Sequence, residues 1–204
     1  YKRQRLRSAI QLAKASSFPK ENIDRAIKKS LEKDTVNYDQ MRYEGFGPNG
    51  TSIIVEALTD NRNRTASNVR SAFQKFGGSM GETGSVSHAF NHYGFVRYNK
   101  DVTSEEDFFN FSIEGGAEDC FIEEDTYEAV STPETLSNLY NYLDKKFGEP
   151  VSSGFQWKPV TYVAIEGDKL KSLINLLNEL DNDEDVQQVF SNFEASDEEL
   201  AKFA

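Results

Sequence analysis

Apolar residues in the first part of the chain recur at helical spacing. Between residues 4 and 16 they fall at i, i+4 and i+7, which predicts a helix. Pro19 marks the first turn of a second helix, because proline is tolerated there, and the acid at Glu21 complements the positive helix end. Basic residues are expected on the outer faces of both helices. The pattern therefore predicts a basic helical hairpin over residues 1–36.

After residue 37 the apolar pattern changes to the alternation that is typical of a strand. A turn signal, Gly47-Pro48-Asn49-Gly50, separates two such runs and predicts an antiparallel pair. A helix and a further strand complete a β-β-α-β order. The predicted elements are strands Met41–Phe46 and Thr51–Leu58, a helix capped by Thr65 and ended by Gly77-Gly78, and a strand near Ser85–Phe90.

The segment from Tyr93 onward alternates strands and helices in a β-α-β-β-α-β order. That order is the split β-α-β, or ferredoxin-like, arrangement. A strand, a helix and a final strand follow, so the fold class is expected to be α+β. The predicted elements are Phe95–Tyr98, Ser104–Glu114, Asp119–Glu123, Tyr127–Ser131, Pro133–Phe147 and Val151–Lys158, then Thr161–Ile165, a helix with Leu170, Leu173, Ile174, Leu177 and Leu180 inward, and Val186–Phe193.

The charge of the chain is distributed unevenly. A net charge of −11 spread over the whole surface would argue against binding to nucleic acid. Residues 1–36 carry a net charge of +6, residues 37–100 carry +2 and residues 101–204 carry −19. A basic front joined to an acidic rear indicates that a polyanion binds at the front. No apolar run reaches the roughly 18 residues of a membrane span, so we expect no membrane contact.

Several motifs that suggest a bound group have simpler interpretations. The glycines at 45, 47 and 50 match a dinucleotide fingerprint, but a strand follows them instead of a helix, so a turn is expected. His88 and His92 have no third ligand, which argues against a metal. The single cysteine, Cys120, fits a small buried residue in a reducing compartment. Residues 181–185 begin like a calcium loop but lack its later ligands, so an acidic surface loop is expected.

Catalytic constellations are not evident in the sequence. No nucleophile with a base, and no pair of carboxylates in divergent surroundings, is indicated. We therefore expect a protein that is not an enzyme and that uses no cofactor.

The best candidate for binding chemistry lies where the second strand meets the following helix. Arg62, Asn63 and Arg64 are expected beside free N–H groups at a helix end, which already favour an anion. The pattern is compatible with a phosphate contact and, equally, with a surface loop that caps a helix. The glycine-rich loop at 77–85 is able to approach a backbone closely.

Six ordered segments carry more information together than each does alone. They are residues 19–29, 43–50, 55–65, 77–78 with 81–87, 114–119 and 183–193. The third contains Asp60-Asn61-Arg62-Asn63-Arg64-Thr65. Together they resemble the YebC/PmpR family of regulators, and the resemblance covers essentially the whole chain.

The resemblance implies three domains: a helical domain at 1–36, an α/β domain at 37–91 plus 160–204, and a ferredoxin-like domain at 92–159 inserted in the second. Members are described as cytoplasmic DNA-binding transcriptional regulators. Similar proteins, including a mitochondrial translational activator of a cytochrome oxidase subunit, act on ribosomes, where bacterial members help at stall-prone proline sequences.

Two departures from the family's pattern stand out. The family's basic head, of the type Gly-His-Ser-Lys-Trp, is absent, and we expect a segment to precede Tyr1. Ser17-Phe18-Pro19 stands where the family usually has Asn-Met-Pro, a change that we expect to affect packing.

The leading hypothesis is therefore a nucleic-acid-binding regulator of duplex DNA with weak sequence readout. The alternative is a ribosome-associated translation factor that binds ribosomal RNA. A third class, an enzyme on a phosphorylated small molecule, predicts stabilisation by nucleotides. No pattern predicts an oligomeric state. The candidate nucleic-acid-binding residues are Arg3, Arg7, Lys14, Arg25, Lys28, Lys29, Arg62, Asn63, Arg64 and Arg70.

Overall fold

The computed structural model describes residues 9, 10, 13, 20–32 and 38–202. The chain divides into two compact units. The discontinuous unit comprises Thr35–Asn91 and Trp157–Ala204. The inserted unit comprises His92–Gln156 and is grouped with Tyr1–Asp34. The division into three domains implied by the resemblance stays a prediction.

Helices and strands are mixed along the chain, which confirms the α+β class. None of the described helices is long and apolar enough to cross a bilayer. The helices are α1 Lys20–Glu32, α2 Arg62–Lys75, α3 Glu105–Glu114, α4 Leu136–Phe147, α5 Gly167–Asp181 and α6 Asp197–Leu200. The strands are β1 Asp39–Phe46, β2 Ser52–Thr59, β3 Ser79–Met80, β4 Phe90–Asn99, β5 Asp119–Ile122, β6 Thr126–Ser131, β7 Ser152–Pro159, β8 Val163–Ala164, β9 Val186–Ser191 and β10 Phe193–Glu194.

Helix α1 confirms the second helix predicted near the start of the chain. Its apolar face includes Ile23, which is buried. Ala9, Ile10 and Ala13, which belong to the first predicted helix, are helical where they are described. The remainder of that prediction lies outside the described residues.

The discontinuous unit is built on a four-stranded sheet in the order β3-β1-β2-β9. β1 and β2 form the predicted antiparallel pair, with Phe46 opposite Ser52 at the turn. A 3-10 turn at Pro48–Gly50 joins them, and Asn49 has a φ of 63°. Asparagine tolerates this left-handed conformation better than most residues. The glycine-rich motif therefore forms a hairpin connection, as predicted.

Helices α2 and α5 cover one face of this sheet. Apolar side chains at helical spacing on each helix meet the alternating apolar residues of β2, which places Phe73 and Leu173 in the same core as Val55. All three are fully buried. The inward residues predicted for α5 are confirmed, with Leu170, Leu173 and Leu180 buried and Ile174 and Leu177 packed beside them.

The opposite face of the sheet is covered by the segment that precedes β4. Val86 and Phe90 pack against Ile54, with Trp157 at the side. The strand predicted near Ser85–Phe90 is wrong, because Ser87–Ala89 forms a 3-10 turn. The pairing at that edge of the sheet is made instead by β3, which bonds to β1 where a loop was expected.

The inserted unit contains a sheet in the order β5-β6-β4-β7. Numbered along this unit, the strand order is 2-3-1-4, which is the order of the split β-α-β arrangement that was predicted. Helices α3 and α4 pack on one face, where Phe108 and Leu139 join Val96 and Ala129 in one core. The strand predicted at Phe95–Tyr98 is longer than expected.

Two other predicted strands are shorter than their sequence patterns. Thr161–Ile165 contributes only β8, which pairs in parallel with β10. The run Val186–Phe193 divides at Asn192, whose side-chain oxygen accepts from the N–H of Ser52 at 2.7 Å. This side-chain bond replaces a ladder bond, and it explains why β9 ends at Ser191.

Candidate nucleic-acid interface

Helix α2 begins one turn earlier than the sequence predicted. The side-chain oxygen of Asn61 accepts from the N–H of Arg64 at 3.1 Å and caps the helix. Thr65 was expected in this role, but it lies inside the first turn and is fully buried. That prediction is wrong. Arg62, Asn63 and Arg64 therefore belong to the helix itself instead of the loop before it.

A buried carboxylate fixes this end of α2. Asp185 accepts from the hydroxyls of Thr65 at 2.7 Å and Thr59 at 3.1 Å. Its backbone oxygen also accepts from the N–H of Leu58 at 2.8 Å. The Thr65 hydroxyl keeps the pKa of Asp185 below its ordinary value; burial opposes this, and Arg64 and Thr59 reinforce it. Asp185 thus joins β2, α2 and the loop before β9.

The two candidate arginines at the start of α2 are both paired with acids. Arg64 donates from Nη2 to Asp185 Oδ2 at 2.8 Å and to Asp60 Oδ1 at 2.8 Å. Arg62 donates from Nε to Asp39 Oδ2 at 2.8 Å. A phosphate would have to compete with these carboxylates. Contact between either arginine and phosphate stays a prediction.

The solvent face of α2 has a different composition. Exposed residues follow one another at i, i+4, i+7 and i+11, so they form one stripe along the helix. Arg70 forms no ion pair within the part of the chain that the structure describes. We call this stripe the outer stripe of α2, and it consists of Asn63, Ser67, Arg70 and Gln74.

The basic residues predicted near the start of the chain are only partly visible. Arg25 and Lys28 are exposed on α1. Lys29 belongs to the same helix, and its side chain lies outside the described part of the structure. Arg3, Arg7 and Lys14 lie outside the described residues altogether. The structure thus brings together Arg62, Asn63, Arg64 and Arg70 on α2.

Comparison with known proteins identifies the family. A family model matches residues 38–193. The model is named for a transcriptional regulator, and its description is "TACO1/YebC second and third domain". The chain belongs to this family. The crystal structure of conserved hypothetical protein Aq1575 from Aquifex aeolicus is similar, with a TM-score of 0.78 and 39% sequence identity. The match covers 95% of this chain and 80% of that one.

Two of the segments that carry the family resemblance form a second buried network. Glu44 in β1 is 1% exposed, and its Oε2 accepts from the N–H groups of Val86 and Ser87, each at 2.9 Å. Burial alone would raise the pKa of Glu44, but the N–H groups of the 84–87 segment and Arg42 outweigh it and lower that pKa. The loop is therefore folded around a carboxylate of its own chain.

Glycines of the TACO1/YebC segments permit close packing at this edge. A Cβ on Gly45 would lie 2.7 Å from the backbone oxygen of Ser79 and 2.8 Å from Cε1 of Phe73. A Cβ on Gly78 would lie 2.6 Å from the backbone oxygen of Phe46. These distances are shorter than real Cβ contacts, so a larger residue would force the strands apart.

Sequence reasoning missed the roles of Asp185 and Glu44. Asp185 was assigned to an acidic surface loop, although it is 8% exposed. Its buried position depends on the hydroxyls of Thr59 and Thr65, which are distant in the sequence. No local pattern connects these threonines to Asp185. Glu44 stands among apolar strand residues, and an acid in that position is a signal for a buried partner. Both carboxylates therefore serve the fold.

Proposed function

We propose that this protein is a nucleic-acid-binding regulator of gene expression in the cytoplasm, with duplex DNA as its target, and that it is not an enzyme. Membership of the TACO1/YebC family supports a regulator. The observation that carries the surface assignment is the outer stripe of α2, which presents a guanidinium with no ion pair among the described residues, set between polar side chains. Such side chains contact phosphate and sugar in nucleic-acid complexes.

The residues of the proposed surface have different roles. Arg70 contacts phosphate directly, and Asn63 adds a hydrogen-bonding group about two turns away on the same face. Arg64 holds the start of α2 through Asp185 and acts as a positioning residue. Arg62 is 62% exposed, so its pair with Asp39 is screened by solvent and exchanges readily for a phosphate.

The N-terminal segment supplies further phosphate contacts in our proposal. Arg25, Lys28 and Lys29 of α1 contribute phosphate contacts, together with Arg3, Arg7 and Lys14. Contacts of this kind carry little sequence information, so binding depends strongly on salt and weakly on sequence.

A second candidate function is binding to the ribosome through ribosomal RNA. The net charge of −19 on residues 101–204 favours it. A long duplex repels this acidic part of the chain, whereas a ribosome also presents basic proteins to it. The basic surface would then meet RNA and the acidic surface would meet protein.

A charge reversal at Arg70 tests the proposed surface. Arg70→Glu should weaken binding to a duplex of random sequence and reduce the slope of log affinity against log salt by about one. Lys171→Glu is the matched control, because Lys171 is equally an exposed cation on α5 of the same unit. Titrations of both variants and of the parent protein against duplex, in a salt series, measure the effect.

Sedimentation with ribosomes over the same salt series distinguishes the two targets. Binding to duplex alone supports the leading proposal, and binding to ribosomes alone supports the second. If the parent protein binds neither at about 100 µM, the weak limit of non-specific association, the proposed function is wrong. If Arg70→Glu and Lys171→Glu behave alike, the outer stripe of α2 is not the interface.

A further inference from the structure

Strand β5 forms an open edge of the sheet in the inserted unit. Among the residues that the structure describes, it pairs with β6 alone, with Cys120 opposite Ala129 and Ile122 opposite Tyr127. The N–H of Glu123 donates to Thr126 at 2.9 Å. Bonded residues alternate along an antiparallel pair, so the N–H and C=O of Ile122 face away from β6. The edge is therefore available to another strand.

A cavity of about 340 Å³ lies beside this edge, between α3 and β5. Its walls are mostly apolar. Phe109 is 50% exposed and Ile122 is 53% exposed, so the apolar surface continues out of the cavity toward solvent. Contiguous apolar surface of this kind marks an interaction site. The apolar and sulfur-bearing residues that line the cavity are Phe108, Phe109, Cys120, Phe121, Ile122 and Tyr127.

The rim of the cavity is strongly acidic. The segment 118–125, which contains β5, carries five acids and no base. The first turn of α3 adds Glu105, Glu106 and Asp107, and Glu105 and Glu106 also line the cavity. All eight acids are exposed. A partner of this surface must be cationic, because like charges across an interface are strongly disfavoured.

We propose that β5 and the adjoining cavity bind an extended basic peptide segment of a protein partner. The peptide adds as a strand to the edge of β5, with backbone bonds to Ile122. Alternate side chains of a strand point to one face. An apolar side chain on the face of Cys120 and Ile122 then enters the cavity, while basic side chains meet the acidic rim. Strand addition with an anchoring pocket is a recurrent mode of peptide recognition.

The charges argue against two other occupants. Nucleic acid is repelled by the acidic rim, so this surface is separate from the outer stripe of α2 and its proposal does not depend on the proposed function. A second copy of this chain would bring the two acidic 118–125 segments together. A basic peptide is the occupant that complements both the edge and its charge.

The probe for this site is a capped peptide of alternating lysine and leucine, labelled for fluorescence anisotropy. It should bind the full chain, whereas a peptide with glutamate in place of lysine should not bind. Ile122→Pro removes the outward N–H without touching a bond to β6, since proline is tolerated on edge strands. Phe109→Asp places a charge at the mouth of the cavity. We expect each variant to weaken binding at least tenfold.

Val160→Asp is the matched control, because Val160 is an apolar residue of the discontinuous unit with 55% exposure. It should change the affinity less than twofold, and thermal unfolding checks the fold of all three variants. Cys120 supplies a second readout, because it is the single cysteine of the chain and lines the cavity. Bound peptide should slow its reaction with a thiol reagent.

Three results would overturn the proposal. One is equal binding of the acidic and basic peptides. Another is an affinity within twofold of the parent protein for both Ile122→Pro and Phe109→Asp. The third is a dimer of the parent protein that Ile122→Pro dissociates, because the edge would then belong to a second copy.

Discussion

Two buried carboxylates hold the discontinuous unit together, and they use different donors. Glu44 Oε2 accepts from backbone N–H groups of the segment before β4, and its Oε1 lies 3.2 Å from Nε of Arg42. Asp185 is bound by the hydroxyls of Thr59 and Thr65 and by the Arg64 guanidinium. Each carboxylate joins two segments that are distant in the sequence.

The difference between these donors determines what happens when the carboxylate is lost. A backbone N–H is fixed by the chain and cannot turn to another acceptor, whereas a hydroxyl rotates about its bond. The Thr65 hydroxyl already lies 3.1 Å from the backbone oxygen of Asn61 and 2.8 Å from the Thr59 hydroxyl. The Asp185 network therefore has substitutes for its central acceptor, and the Glu44 network has none.

The largest effect is expected from Glu44→Ala. It leaves the N–H groups of Val86 and Ser87 buried without an acceptor and opens a cavity, at a cost of about 3 to 5 kcal/mol in the free energy of unfolding. Urea unfolding measures this cost. Glu82→Ala in the same loop is the control, because Glu82 is exposed, and it should leave the midpoint unchanged. A loss below about 1 kcal/mol for Glu44→Ala would contradict the assigned role.

A smaller loss is expected from Asp185→Ala. Thr59 and Thr65 keep each other and Asn61 as partners, so the free energy of unfolding should fall by about 1 to 3 kcal/mol. Glu184→Ala, at the exposed neighbouring position, is the control. Equal losses for Asp185→Ala and Glu44→Ala would show that donor type does not distinguish the two networks.

The two carboxylates should lose their contributions to stability over different acidic pH ranges. Each carboxyl has a folded pKa below its ordinary value, so each contributes stability that is complete at neutral pH and is lost as pH falls through the folded pKa. Glu44→Gln should flatten the acid loss of stability below about pH 4.3, and Asp185→Asn below about pH 3.9. Urea midpoints between pH 7 and the acid limit test this order. If the stability of both variants falls with pH as steeply as that of the parent protein, this prediction is wrong.

The hairpin of β1 and β2 and the inward face of α5 were predictable from local pattern. Turn residues and apolar spacing act over a few neighbouring residues, and both appear directly in the sequence. The segment before β4 was not predictable in the same way. Val86 and Phe90 are spaced like strand residues, but the N–H groups of Val86 and Ser87 bond to Glu44, more than forty residues earlier. The carboxylate of Glu44 therefore accepts the N–H groups that the local pattern assigned to hydrogen bonds between strands.

The helix start that carries the candidate residues was predictable, but the partners of these residues were not. The sequence correctly placed Arg62 and Arg64 beside a helix start. It did not indicate that Asp39 and Asp185 would neutralise them, because those acids come from β1 and from the loop before β9. The outer stripe of α2 was absent from the sequence interpretation, although Arg70 was named, since its exposure depends on which face of the helix meets the sheet.

The smallest effect concerns the two arginines at the start of α2. Arg64→Ala removes a donor from buried Asp185, so it should lower the urea midpoint measurably. Arg62→Ala breaks only a solvent-exposed pair with Asp39 and should leave the midpoint unchanged. The two variants remove the same charge two positions apart, so general electrostatics is matched between them. If both variants shift the midpoint equally, net charge determines the stability of this region instead of the Asp185 network. A shift confined to Arg64→Ala means that this guanidinium stabilises the fold. Loss of nucleic-acid binding in Arg64→Ala then reports on the fold as well as on the interface.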